Sequence, residues 1–246
     1  MRSSSFISLT PALPVVLVLL VALGALVAWL GRLGHERAVL TASLRAVVQL
    51  GAVAALITVV VAYFAAATAF ILLMFGVAAF TAGRRITPGR TAWRAAAPVA
   101  AGTVPVLALL AVTRTISMDA IVVIPVAGIL LGGCMTATSL AGRRAMDELV
   151  QRRGEVEAAL SLGFSPSDAA LEICRPAANQ ALVPALDQTR TVGLVTLPGA
   201  FVGMLLGGAS PIEAGAVQLV VLVALLAAEA VAVLVTTHMV ARGHFT

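Results

Sequence analysis

The feature that most constrains this chain is a stretch of uncharged, mostly apolar sequence that is too long for one membrane crossing. Val47–Ala82 runs for 36 residues without an Asp, Glu, Lys or Arg, whereas a helix needs about 20 apolar residues to cross a bilayer. We therefore divide it near Tyr63–Ala67 into two spans joined by a tight hairpin. Five more apolar runs bring the predicted total to seven spans: Pro11–Leu30, Ala95–Thr113, Ala120–Ala141, Val192–Gly207 and Ala214–Val240.

The composition predicts the same class of protein. The chain is 61% hydrophobic with a mean hydropathy of +1.06, and only 11% of its residues are charged, against about 25% in soluble domains. A backbone inside a bilayer must satisfy its own hydrogen bonds, which favours helices. We predict an all-α, polytopic fold in which residues 1–246 form a single transmembrane domain.

The arginines predict the orientation of the chain. The loops after spans one, three and five, together with the C-terminal tail, hold 14 of the 16 basic residues, and only Arg2 and Arg114 lie elsewhere. Because cytoplasmic loops carry the positive excess, the N-terminus is expected outside the cell membrane and the C-terminus in the cytoplasm. The same clustering explains the net charge of +5 without a nucleic-acid partner.

The absence of lysine excludes one kind of chemistry. A P-loop needs the lysine of G-x-x-x-x-G-K-[ST] to reach the nucleotide phosphates, and every basic residue here is arginine. ATP-Mg must therefore bind to another chain if the protein uses it, and we expect no cofactor on this one. No histidine occurs between residues 36 and 237, so an intramembrane enzyme is not expected either.

The loop at residues 142–191 is the only long polar segment. Within it, Glu155–Leu162 is predicted to be a short helix, and Gly163 can take the left-handed conformation that ends it. Ser165 then supplies an N-cap, with Pro166 in the first turn and Asp168 three residues after the cap. Local signals thus predict a helix–turn–helix, which by itself is an ordinary cytoplasmic hairpin.

The same segment, EAALSLGFSPSDAALEICRP, resembles the coupling loop of ABC importer permeases. In that family the loop has E-A-A, three residues, G, nine residues, I, two residues and P, and a short helix in it docks into a groove of the ATPase subunit. Arg175 departs from the pattern, since the family usually has an apolar residue there. The residues that match, and that the resemblance places in ATPase docking, are Glu157, Ala158, Ala159, Gly163, Ile173 and Pro176.

A narrower resemblance follows the loop. The segment ALVPALDQTRTVGLVTLPGAFVGMLLGGASP, with LRAVVQL at residues 44–50, resembles the FetB-type ABC permease family, which is associated with iron export and has a plant relative linked to aluminium tolerance. This implies a seven-span permease paired with a separate cytoplasmic ATPase subunit. The direction conflicts between the two resemblances, because the loop is that of importers and the family that of exporters.

Two sets of residues within the spans are candidates for the transport pathway. Gly199, Gly203 and Gly207 form a smooth stripe preceded by Pro198, which suits either a dimer or pathway helix or tight packing inside one subunit. Gln218 and Glu229 lie three helical turns apart on one face of the last span. A carboxylate at membrane depth is costly, so Glu229 serves either a cation or proton pathway or an interhelical hydrogen bond, for example to Gln49 or Thr138.

Two weaker groups complete the candidates. Asp187 and Arg190 lie one turn apart before the sixth span and form either a hinge that carries loop motion into it or a solvated helix end. Sulfur-bearing side chains in the spans are soft metal ligands, although methionine in an apolar helix more often packs. These candidates are Met74, Cys134, Met135 and Met204.

Together these patterns predict a permease subunit that works as a homodimer over two ATPase subunits and moves a metal, iron by resemblance. Closing of the ATPase pair would shift the loops and, through Asp187–Arg190, the sixth span. The alternative is a carrier driven by an ion gradient that uses Glu229 and needs no ATPase.

Overall fold

The computed structural model describes residues 12–245, so the predicted start of the first span at Pro11 and the orientation argument at Arg2 lie outside the described residues. Every regular element within that range is helical. The helices are α1 (Ala12–Leu30), α2 (Glu36–Ala62), α3 (Phe64–Ile86), α4 (Ala96–Val112), α5 (Ala120–Gln151), α6 (Arg153–Ser161), α7 (Pro166–Asn179), α8 (Val183–Thr191), α9 (Gly199–Leu206) and α10 (Pro211–Ala241). Short 3₁₀ turns at Arg90–Ala95 and Gln180–Leu182 precede α4 and α8.

Six helices in the described range are long and apolar enough to cross a membrane: α1 to α5 and α10, with the turn before α4 included in its span. The prediction of an all-α polytopic protein is confirmed. The predicted division of the long apolar stretch is confirmed too, because α2 ends at Ala62 and α3 begins at Phe64, with the extended residue Tyr63 between them.

The sixth predicted span is wrong as a continuous helix. Within Val192–Gly207 only α9 is helical, and its eight residues extend about 12 Å, less than half of a hydrocarbon core of about 30 Å. The run is apolar enough to span, but Gly193 has a left-handed φ of +82° and Pro198 cannot donate a backbone hydrogen bond. Both residues stop a helix that hydropathy alone would continue.

The chain divides into two compact units, residues 1–60 and residues 61–246. Within the described part of the first unit, α1 and the greater part of α2 are joined by a turn in which Arg32 and Gly34 have positive φ. The second unit contains α3 to α10 and all the candidate site residues.

The core of the second unit forms where α5 packs against α3, α4 and α10. Its central side chains are small, including Cys134, Ala228 and Ala232, each with none of its surface exposed. Two glycines permit close approaches to α10. A Cβ on Gly102 of α4 would lie 2.4 Å from the Ala228 oxygen of α10, and one on Gly133 of α5 would lie 2.3 Å from Leu225 Cδ1. These contacts hold α10 in the middle of the unit.

Candidate coupling loop and membrane pathway

The turn between α6 and α7 is built by local hydrogen bonds. Gly163 has φ +93°, and its N–H donates to the Leu160 oxygen at 3.0 Å while the Phe164 N–H donates to the Ala159 oxygen at 3.2 Å. This is the Schellman arrangement that ends many helices. Ser165 then caps α7 by accepting from the Asp168 N–H at 3.2 Å. The predicted helix–turn–helix is present with its predicted caps.

The two helices of this hairpin have different surroundings. α7 packs against α5 and α10 and buries Ala169, Ala170, Ile173, Cys174 and Ala178, whereas α6 buries no residue. At the end of α6, Leu160, Leu162 and Phe164 are 40%, 81% and 47% exposed. Of the predicted docking residues, Glu157, Ala158, Gly163 and Pro176 are exposed and Ala159 is half-buried. Ile173 is buried, so it fixes α7 to the unit and has little surface left for a partner.

Ion pairs surround the start of α6. Arg152 pairs with Glu148 of α5 at 3.2 Å and with Glu155 of α6, and Arg153 pairs with Glu157 at 3.0 Å. The hydrogen bonds from Arg152 lower the pKa of the Glu155 carboxyl. Since Arg152 bonds to both α5 and α6, it fixes the angle at which α6 leaves the long helix.

The structure divides the region of the predicted sixth span into a non-helical segment, which follows α8, and the short helix α9. Arg190 donates to Asp187 at 3.5 Å on the exposed face of α8, so the predicted pair is present. Directly after α8 the chain turns back on itself, because the Thr191 oxygen accepts the N–H groups of Leu194, Val195 and Thr196 at 2.9–3.3 Å. Pro198 then occupies the N-cap position of α9, where no side chain caps the helix. We call Val192–Pro198 the helix break.

The predicted glycine stripe lies on α9 and is open. A Cβ added to Gly199 or Gly203 would meet nothing within 4 Å, and Gly207 is the C-cap of α9. Packing among the described residues of the second unit therefore does not explain the stripe. The close helix contacts fall at Gly102 and Gly133, which sequence reasoning missed. The crowding of Gly128, Gly132 and Gly133 in span five was the signal for one of them.

Gln218 faces a cavity of about 240 Å³ beside the helix break. Gln218 is only 6% exposed, and its Oε1 atom has no hydrogen-bond partner among the described residues. The cavity brings two predicted pathway residues, Gln218 and Pro198, to one place. Its lining is otherwise apolar and includes Val192, Gly193, Phe201 and Leu222.

Glu229 lies deeper along α10 and is 7% exposed. Its Oε1 atom lies 2.5 Å from where a Cβ on Gly133 would be, so the carboxyl occupies the space that this glycine leaves. It makes no ion pair with any residue from 12 to 245. Thr138 Oγ1 has no partner in that range either, so the interhelical hydrogen bond to Thr138 is absent.

Met74 and Cys134, two of the sulfur-bearing candidate ligands, pack against different helices. Met74 packs against Gly128 of α5, whereas Cys134 packs against Gly102 of α4, and both belong with Met135 to the apolar core. Met204 lies half-buried on α9. The described residues contain no group of three or more His, Cys, Asp or Glu side chains placed to hold a metal.

Residues 13–245 match the uncharacterised protein family UPF0014. The chain belongs to this family. A UPF0014 membrane protein of rice, STAR2, is 35% identical over 236 residues, which cover 95% of this chain and 83% of the relative. The Arabidopsis protein ALUMINUM SENSITIVE 3 is 36% identical over 176 residues, covering 71% of this chain and 64% of the relative.

A third UPF0014 relative carries a functional name. The Escherichia coli protein named "Probable iron export permease protein FetB" is 30% identical over 139 residues, which cover 56% of this chain and 54% of the relative. The resemblance to FetB-type permeases is thereby confirmed. No solved structure matches the chain.

Proposed function

We propose that this UPF0014 protein is the membrane permease subunit of an ABC transporter that exports a metal, iron by analogy with the named relative. A separate cytoplasmic ATPase subunit, which binds ATP-Mg, docks on residues 155–176 and drives transport. The chain itself performs no catalysis. The observation that carries the proposal is the apolar tip of α6, Leu160, Leu162 and Phe164, which is exposed in a rigid turn.

The tip has the properties expected of a docking element. An exposed apolar surface on a membrane protein's cytoplasmic loop is costly unless a partner covers it, and helix-in-groove recognition uses such anchors. α7 is fixed to α5, and Arg152 ties α6 to the same helix. In this proposal, movement of the tip by the ATPase shifts α5 and the core. The same movement reaches the helix break through α8 and its Asp187–Arg190 pair.

The proposed topology keeps the N-terminus outside and the C-terminus in the cytoplasm of the cell membrane. The crossing here consists of the seven-residue helix break and α9, whose eight helical residues extend about 12 Å. We propose that these two parts together cross the bilayer as a discontinuous segment. It replaces the predicted sixth span, so the number of crossings stays odd and the arginine-rich loops stay on one side.

The proposed assembly is a homodimer of single-domain permeases over two ATPase subunits. The open glycine face of α9 supports this, because Gly199 and Gly203 allow another helix to approach closely and no described helix of the second unit does so. Gly203→Leu would fill that face without disturbing the chain's own packing, and we expect it to lower the dimer fraction measured by mass photometry in nanodiscs.

The test is a pull-down of the tagged chain from mild-detergent membranes, followed by mass spectrometry. We expect a stoichiometric partner that carries G-x-x-x-x-G-K-[ST] and that is lost from Gly163→Asp, while the variant stays in the membrane. Gly154→Asp, on the same helix but away from the turn, is the matched control. If wild-type membranes yield no such partner in several detergents, the ABC assignment is wrong.

A second candidate function rests on Glu229. This buried carboxyl without an ion pair in the described residues suits a carrier that takes up and releases a proton or cation during transport. Such a carrier works without an ATPase. Glu229→Gln would abolish gradient-driven transport in proteoliposomes if this alternative holds, and would leave ATP-dependent transport measurable if the ABC proposal holds.

A further inference from the structure

The C-terminal end of α10 brings together two histidines that are six positions apart in the sequence. α10 ends at Ala241, and Gly243 then takes a left-handed φ of +70°. The His244 N–H donates to the Met239 oxygen at 2.9 Å, so the chain turns back over the last turn of the helix. His238 and His244 consequently line one pocket of about 480 Å³.

The segment that carries His244 is held by another part of the second unit. The Arg94 guanidinium donates to the His244 oxygen at 2.7 Å, and Thr91 Oγ1 donates to the Phe245 oxygen at 3.4 Å. The Phe245 side chain is only 1% exposed. The position of His244 beside α10 is therefore fixed by contacts outside the helix.

Both imidazoles use their Nδ1 atom in a hydrogen bond to the backbone. His238 Nδ1 lies 2.9 Å from the Leu234 oxygen, and His244 Nδ1 lies 3.2 Å from the Met239 oxygen. A carbonyl oxygen can only accept, so each Nδ1 carries the proton and donates. The neutral ring then keeps a lone pair on Nε2, which is the form that binds metal ions. Metal-binding histidines commonly have their other ring nitrogen held by a backbone carbonyl in this way.

The rest of the lining favours a transition-metal cation. Met239 adds a thioether, which is a soft ligand, and imidazoles suit zinc, iron, copper and nickel. The C-terminal end of a helix also favours positive charge. Two Nε2 lone pairs can only accept hydrogen bonds, so they offer nothing to an oxyanion. Arg242 in the lining opposes a cation, but its side chain is exposed and can extend into water.

We propose that His238 and His244 bind a divalent transition-metal cation, Fe²⁺ or Zn²⁺, through their Nε2 atoms, with the Met239 sulfur as third ligand and water in the remaining positions. Three protein ligands completed by water hold zinc in many proteins. This deepens the proposed metal export and rests on it for its purpose. Under the proposed topology the pocket lies at the cytoplasmic end of α10, where the cargo would first bind.

The test is a calorimetric titration of Zn²⁺, and of Fe²⁺ without oxygen, into the full chain in nanodiscs of zwitterionic lipid, purified with a tag that contains no histidine. We expect saturable binding of Zn²⁺ and Fe²⁺, and none of Mg²⁺, which prefers oxygen ligands. His238→Asn and His244→Asn each keep a donor near the Nδ1 position and lack Nε2. Each should weaken binding about tenfold or more, since even the outer partners of a metal site contribute that much.

The matched control is His35→Asn. His35 is the remaining histidine of the chain, belongs to the first unit, and also has its Nδ1 bonded to a backbone oxygen, that of Leu33. This variant should bind Zn²⁺ like the wild type. Met239→Leu keeps an apolar side chain of similar volume and should weaken binding less than either histidine variant does.

Arg242→Gln separates a cation site from an anion site. It removes a positive charge from the lining and should strengthen metal binding, by up to about fivefold for an exposed charge. Weaker metal binding in this variant would overturn the proposal. The absence of saturable Zn²⁺ and Fe²⁺ binding, or equal affinity in the wild type and both asparagine variants of the pocket, would overturn it too.

Metal binding and ATPase docking can fail separately. The pocket needs no ATPase to bind metal, so Gly163→Asp should bind Zn²⁺ normally although it no longer captures the partner. A wild-type chain without an ATPase partner would contradict the ABC assignment and leave the metal titration readable. Unchanged iron efflux from cells that carry the double variant His238→Asn/His244→Asn would overturn the role of the pocket in export.

Discussion

The proposed coupling loop and the proposed broken crossing are close in the chain but differ in what determines them. The α6–α7 turn is set by residues within ten positions of each other: Gly163 ends one helix and Ser165 begins the next. The run Val192–Gly207 has the hydropathy of a span, yet it is interrupted at Gly193 and Pro198. The first region follows local rules, whereas in the second local stop signals prevail over an apolar run.

The two regions also differ in how firmly the rest of the chain holds them. α7 packs on α5 and α10 and buries five side chains. α9 buries none of its residues, and its main contacts within the described residues are those with α10. Under the proposed function, a firmly held α6–α7 loop receives the movement of the ATPase pair. The loosely held α9 then changes access to the cavity.

The largest expected effect comes from repairing the break. In Gly193→Ala/Pro198→Ala the two stop signals are removed, so α8 and α9 are expected to join into a continuous helix. Iron efflux from preloaded cells should fall about tenfold or more, equal to about 1.4 kcal/mol, and the amides of residues 192–198 should become protected from hydrogen exchange. Gly51→Ala/Pro88→Ala changes one glycine and one proline elsewhere and should leave efflux unchanged. Full efflux with a protected break would show that the interruption has no role.

A second prediction extends the comparison to the glycines of the core. Gly102→Ala would place a Cβ 2.4 Å from a backbone oxygen of α10, whereas a Cβ on Gly132 of α5 meets nothing within 4 Å. Overpacking of this kind costs about 1–3 kcal/mol. Gly132→Ala lowers the conformational entropy that the backbone loses when the helix forms, and it stabilises the fold by up to about 1 kcal/mol. Thermal unfolding in detergent should move in opposite directions for the two variants, and a shift in the same direction contradicts the close α4–α10 contact.

Sequence reasoning succeeded where the determinants are local or periodic. Apolar runs located the long helices, and Gly163, Ser165 and Pro166 located the turn to the residue. It failed for Val192–Gly207, because a hydropathy window averages over Gly193 and Pro198. It also could not show that Ile173 is buried or that Pro198 and Gln218 meet at one cavity, since both depend on how distant helices pack.

A third prediction tests whether the turn is as local as it looks. Gly163 has φ +93°, where a β-branched residue is strained by about 1–2 kcal/mol, whereas Asn tolerates left-handed conformations. Gly163→Val should increase hydrogen exchange in residues 160–166 and weaken capture of the ATPase. Gly163→Asn should keep the wild-type protection and the wild-type capture of the ATPase. Gly154→Val lies within α6 with open space around it and is the control. Equal behaviour of the Val and Asn variants would mean that the backbone conformation at Gly163 does not matter.

The smallest expected effect concerns the charges that set the angle of α6. Because hydrogen bonds from Arg152 lower the pKa of Glu155 in the folded chain, the pair stabilises α6 at pH values above the ordinary carboxyl pKa of about 4.3. That stabilisation is lost as the pH falls through the lowered value, so the protection factors of the α6 amides, which correct for the pH dependence of intrinsic exchange, should be constant from pH 7 to 5 and fall only below about 4.3. Arg152→Met should raise exchange about twofold at pH 7, as for other exposed helix pairs, and abolish the acid dependence. Arg153→Met, which removes the more exposed pair with Glu157, should change it less, because only Arg152 also bonds to α5. A loss of protection between pH 7 and 5 would show that another group causes the acid response. Apolar contacts alone would then have to hold α6 against α5.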